Sequence, residues 1–110
     1  VLTSTDCRLC DQNTETQDHL FFECPFAKEL WQLTFTEWNL NLNLDGMEPY
    51  INSLNKLKMP RKLRSMIQAM TNAVLYHIWH ARNKLSFKNE VQPVHSILKE
   101  IKARIIQRVL

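Results

Sequence analysis

At 110 residues and 45% hydrophobic composition the chain is long enough to enclose one core, and it holds no apolar run near the ~18 residues that a membrane helix needs. No charged-then-apolar leader follows Val1, so no signal peptide is expected, and three cysteines, an odd number, fit a reducing intracellular compartment better than a disulfide framework. The formal charge of +3 conceals an asymmetry: residues 1–55 carry two bases, Arg8 and Lys28, against nine acids, whereas residues 56–110 carry twelve bases against Glu90 and Glu100. The chain starts with Val rather than Met, and Leu110 falls inside a helical pattern, which points to a piece of a longer polypeptide.

The first predicted element is a metal module. All three cysteines join one of the four histidines in the order Cys7-x2-Cys10-x8-His19-x4-Cys24. Four sulfur and nitrogen donors in so short a stretch suit the tetrahedral preference of Zn²⁺, and the complete set leaves no position for a water, so a structural zinc is expected rather than a catalytic one. Residues 11–18 are polar and read as an exposed loop. Asp6, Asp11, Glu15, Asp18 and Glu23 crowd the ligands with Arg8 as the only nearby base in sequence, a surface that repels phosphate. Phe21, Phe22 and Trp31 are therefore assigned to packing under the metal in preference to stacking on bases.

Pro25 directly after the last ligand suits the first turn of a helix, with Phe26, Leu30, Leu33 and Phe35 supplying apolar spacing beside Trp31. Cys24 at that start would set the net-negative zinc–thiolate cluster near the positive end of the helix dipole. Residues 39–46 alternate Asn with Leu and end in Asp45 and Gly46, the single glycine, and are read as a loop. Residues 48–57 form a short helix with Ile51 and Leu54 on its face. Pro60 opens a long helix to about Phe87, along which Leu63, Ile67, Met70, Val74, Ile78, Ala81 and Leu85 keep a helical stripe widened by Leu75 and Trp79. Val94, Ile97, Leu98, Ile101, Ile105 and Val109 repeat the pattern in a last helix. The expected fold is mainly α and a single domain: a small CCHC zinc module over residues 7–24 capping a three- or four-helix bundle over residues 25–110.

Lys56, Lys58, Arg61, Lys62 and Arg64 put five bases into nine residues with no acid among them. Three stand in the first turn of the long helix, where cations oppose the dipole and the free N–H groups welcome an anion, so this run is the candidate phosphate-binding site for RNA or DNA. A solvated face, or one that docks a protein, remains open for it. His77 and His80, three apart, have no evident third ligand and are read as boundary residues of the helix. No nucleophile elbow, catalytic triad spacing, glycine-rich phosphate loop or paired-aspartate motif is present, so the chain by itself is expected to catalyse nothing.

The run H-L-F-F-E-C-P-F-A-x-x-L-W from His19 to Trp31, preceded by Cys7 and Cys10 and followed by Ile78, Trp79, His80, Ala81, Arg82, Asn83 and Phe87, resembles the zinc-binding domain near the C-terminus of plant LINE-type reverse transcriptases, the zf-RVT family. The resemblance carries the family's metal ligands onto Cys7, Cys10, His19 and Cys24. It implies an accessory module after a polymerase domain, one that helps to hold template RNA or target DNA, and a nuclear location. For a co-opted copy it implies instead an interaction module within a protein or ribonucleoprotein assembly, with an organelle as an alternative compartment.

Overall fold

The computed structural model describes residues 6–10 and 14–109, of Arg108 and Val109 the backbone only. The mainly α expectation holds: α1 (Pro25–Glu37), α2 (Met47–Lys56), α3 (Arg61–Lys88) and α4 (Val94–Val109) follow a π-helical turn, His19–Glu23, with an isolated antiparallel bridge between Asp6 and Thr14. No described helix is long and apolar enough to cross a membrane. The molecule measures 50 × 27 × 17 Å, its length matching that of α3, whose 28 residues rise about 42 Å.

Each boundary has a local cause. Pro25 occupies the first turn of α1, where its missing N–H costs nothing, and Cys24 is the N-cap residue. Pro60 sits just before α3, extended at ψ 155°, and its carbonyl accepts from the Arg64 N–H at 3.0 Å. Asn89 ends α3 in the left-handed region at φ 54°, and the Glu90 N–H returns to the Lys84 carbonyl, closing the helix as a glycine would. The segment between α1 and α2 is the expected loop, yet its alternating Leu40, Leu42 and Leu44 are partly buried against the core, so the alternation reports a chain lying along an apolar surface.

Trp31 stands at the centre of an aromatic cluster. Its ring stacks on Phe22 with centroids 5.2 Å apart and planes 10° apart, and meets Tyr50 at 5.4 Å and Phe35 at 5.5 Å. Tyr50, not Ile51, is the residue that docks α2: it is buried and its hydroxyl meets Thr71 Oγ1 on α3, while Ile51 is 45% exposed. A similar one-residue correction applies to α1, which buries Ala27, Leu30, Trp31, Thr34 and Phe35 and leaves Leu33 at 41% exposure. Bulk at Trp31 and Phe35 fixes which face turns inward, and Leu33 lies on the other side of it.

On α3 the residues Ile67, Met70, Val74, Ile78 and Ala81 are buried as expected, but Trp79 is half-exposed and His77 is the buried neighbour. Both lie about 100° from Ile78 on the helix, and α4 packs on the His77 side. There the Glu100 carboxylate comes within 3.5 Å of His77 Nδ1, and burial holds the imidazole pKa below its usual 6.5 despite that carboxylate. On α4, Ile97, Ile101 and Ile105 are buried, Val94 and Leu98 are partly so, and the side chain of Val109 lies outside the described residues.

Candidate metal centre

Three short pieces of chain deliver four donors to one point. A turn over residues 8–10 between the Asp6–Thr14 bridge places Cys7 and Cys10, the π-helical turn starts at His19, and Cys24 closes the set at the head of α1. The ligand atoms of Cys7, Cys10, His19 and Cys24 all lie within 4.8 Å of one another. Cys7 Sγ and Cys24 Sγ are 3.8 Å apart, and Cys10 Sγ is 3.3 Å from His19 Nε2. A tetrahedral Zn²⁺ with Zn–S near 2.3 Å and Zn–N near 2.0 Å spaces its sulfurs about 3.8 Å apart and a sulfur and nitrogen about 3.5 Å apart. Those two pairs match that spacing, and the donor set fits zinc in identity.

The π-helical turn is what makes the x4 spacing work. In an α-helix residues five apart point about 140° away from each other, so His19 and Cys24 would face different directions. The Cys24 N–H instead bonds the His19 carbonyl at 2.7 Å, the i→i+5 pattern that widens the turn and returns Cys24 to the histidine's side. Thr16 Oγ1 accepts from the His19 N–H at 3.0 Å, and Glu23 Oε1 lies 3.8 Å from His19 Nδ1 while Nε2 faces the sulfurs. The ring is thus placed with Nε2 toward Cys10 and Nδ1 toward the Glu23 carboxylate.

Burial shapes the thiols. Desolvation raises the pKa of Cys7, and it pushes Cys24 up to about 12 although the N–H groups of Phe26 and Ala27 at the head of α1 act the other way. Two buried thiols beside each other hold their protons unless a cation takes the charge, and a divalent ion bound by thiolates supplies it. Cys7 and Cys24 belong to the same core cluster as Phe22, Leu30 and Trp31, so the centre is part of the hydrophobic core.

Two residues at this centre were not legible as partners in the sequence. Arg82 on α3 donates from Nε to Glu15 Oε1 at 3.1 Å and from Nη2 to Glu15 Oε2 at 2.9 Å, a two-pronged pair about four-fifths buried on both sides. Glu15 thus has a base opposing it, and the expectation that Arg8 alone balances the acidic loop is corrected; Asp11 itself lies outside the described residues. The hydrogen bonds and charge of Glu15 raise the Arg82 pKa above its ordinary value, and the guanidinium lies 5.1 Å from the Trp79 ring centroid. The pair fastens the metal loop to the long helix. Arg82→Ala is expected to destabilise the chain by about 2 kcal/mol, because it strands a carboxylate away from water, and the double mutant with Glu15→Gln should recover about 1 kcal/mol of that. A thermodynamic cycle measured by thermal melting checks this; strictly additive single effects would mean that the two side chains do not cooperate.

The five bases of the predicted phosphate site lie elsewhere. Lys56, Lys58, Arg61 and Lys62 are exposed, and Arg64 is partly buried with Nη2 donating to the Leu57 carbonyl at 3.2 Å. They occupy the end of α2, the connection and the first turn of α3, about 27 Å along the helix from Arg82. His77 and His80 are joined by no third ligand among the described residues: one is buried beside Glu100, and the other stacks on Tyr76.

Residues 1–31 match the family model zf-RVT, described as zinc-binding in reverse transcriptase. Among curated proteins and among solved structures nothing matches the chain. A match to a zinc-binding family model and a Cys3His cluster that could hold a metal ion agree on the cofactor.

Proposed function

We infer, from an N-terminal segment that matches the zinc-binding module of reverse transcriptases, that the chain is a non-catalytic accessory domain of a retrotransposon-derived, plant LINE-type reverse-transcriptase-like protein. Cys7, Cys10, His19 and Cys24 hold a structural zinc, and the domain holds RNA or DNA through its phosphates. The zinc supplies folding free energy and no reaction step, since four protein donors fill its tetrahedron.

The observation that carries the nucleic-acid reading is where the charges fall. The acidic metal module is pinned by Arg82 near the end of α3, while Lys56, Lys58, Arg61, Lys62 and Arg64 gather at its beginning, where four are exposed and no acid interrupts them. Cations in the first turn oppose the helix dipole, so stability alone would select acids there. Phosphates docked on that end would relieve the conflict and release condensed counterions.

Neutralising Arg61, Lys62 and Arg64 together is expected to weaken binding uniformly across sequences, and to flatten the dependence of log K on log salt by up to roughly 0.7 to 0.9 per lost contact. Thermal stability should stay within about 0.5 kcal/mol or rise. Salt-titrated binding of wild type and triple mutant checks both. An unchanged slope removes this patch, and wild-type affinity weaker than ordinary non-specific binding removes the nucleic-acid reading.

A second reading is supported by Phe87 and Val91, exposed at 79% and 80% around the connection between α3 and α4. Large apolar side chains left this open suit a co-opted interaction module docked within a protein or ribonucleoprotein assembly. In that case the triple mutant would release a protein partner and leave nucleic-acid affinity negligible throughout.

A further inference from the structure

Between the middle of α3 and the last turns of α4 runs an open groove of about 550 Å³. Ala73 and Ile105 form its apolar floor; Asn72 and Tyr76 line it from α3, and Arg104 and Gln107 from α4. None of its lining residues is acidic. Glu100, one turn before Arg104, has its carboxylate 3.5 Å from the His77 ring.

The lining has a particular chemistry. Tyr76 is half-exposed, His80 stacks on its ring at 5.6 Å with planes 10° apart, and the Arg104 guanidinium carbon lies 5.5 Å from its centroid. This is a π-cation ladder at the surface, built by His80, Tyr76 and Arg104 on one another. Asn72 and Gln107, both exposed, each offer a carbonyl acceptor and an amide donor beside it. Flat cationic and aromatic surfaces with amides at their rim suit a flat, apolar-faced group whose edge carries hydrogen-bond donors and acceptors. An aliphatic peptide side chain would offer neither amide a hydrogen-bond partner.

We propose that this groove receives an unpaired nucleobase of a single strand, stacked on the Tyr76–Arg104 ladder with its edge met by Asn72 and Gln107. The inference rests on the nucleic-acid reading above and adds the form of the ligand, since a base in a duplex has both faces covered and its pairing edge engaged. Tyr76 lies about 18 Å along α3 from Arg64, and residues 65–75 between them carry no charge of either sign. No acid lies on α3 between the groove and Arg64, so a strand leaving the groove toward the start of α3 meets no repelling charge on that helix before it reaches the basic run.

The test uses the zinc-loaded chain with short labelled single strands of RNA and of DNA and their matched duplexes, at physiological salt. Tyr76→Ala and Arg104→Ala are each expected to weaken single-strand binding about tenfold, to leave duplex binding unchanged, and to leave zinc content and melting temperature near wild type because both side chains are surface ones. Tyr76→Phe keeps the ring and should keep the affinity. If Tyr76→Ala leaves single-strand binding unchanged while neutralising Arg61, Lys62 and Arg64 weakens it, phosphate binding stands and the groove is overturned. Equal losses for single strand and duplex overturn the groove as well. If the wild-type chain binds neither form, both readings fall together.

Discussion

Chelating the metal from the purified chain is expected to unfold it, and Cys24→Ser is expected to do the same damage. Cys7, Cys24, Leu20 and Phe22 are buried in one core cluster with Trp31 and with Val74 and Ile78 of α3, so an empty centre puts two protonated thiols and a histidine in the interior with no ion to hold the three chain segments together. Structural zinc sites contribute about 10–16 kcal/mol of apparent binding free energy in small modules at neutral pH. A whole domain is stable by only about 5–15 kcal/mol, so the metal's share is comparable to the total. Elemental analysis should find one zinc per chain, and circular dichroism should show a large loss of helix on chelation, reversed by adding zinc back. His19→Cys keeps four donors and should retain the metal. A freshly purified chain without zinc, or a chelated chain that melts as the wild type does, would overturn the assignment.

Trp31→Ala should be the most damaging change outside the ligands. The indole is fully buried among Phe22, Phe35 and Tyr50, and its Nε1–H donates to the Phe21 carbonyl inside the π-helical turn. Truncation removes the largest side chain of the core and also unties the backbone between His19 and Cys24. A cost of about 3–5 kcal/mol follows for such a cavity, with a fall in melting temperature on the order of 15–25 °C for a chain of this length. Zinc affinity should drop as well, because the turn that aims two ligands loses its brace. Leu33→Ala, on the exposed face of the same helix, should stay within about 0.5 kcal/mol. Melting curves and chelator competition on the two variants separate the cases; a Trp31→Ala chain that melts beside the wild type would show that the cluster does not organise the metal end.

How much of this was legible in the sequence depended on the range of the cause. The convergence of Cys7, Cys10, His19 and Cys24 could be foreseen because the donors are close in sequence and chemically distinctive. Pro25, Pro60 and the stripe from Ile67 to Ala81 marked α1 and α3 within a residue or two. Leu33, Ile51 and Trp79 were misplaced because each lies within two positions of a buried aromatic or aliphatic residue, and periodicity alone does not say which flank a neighbouring element will cover. The Glu15–Arg82 pair was invisible for a different reason: nothing local to either residue signals a partner 67 positions away. The π-helical turn left one trace, the four-residue gap between His19 and Cys24, which an α-helix serves poorly.

That same separation sets an order of events during synthesis. At about 5–20 residues per second, roughly 3–13 s pass between the addition of Glu15 and of Arg82, an interval in which the thiols have left the ribosome before α3 exists to cover them. Metal capture is local and needs none of α3, so it comes first, and the helices then close over an occupied centre. A chain synthesised without zinc would instead bring α3 down on buried thiols that still carry their protons.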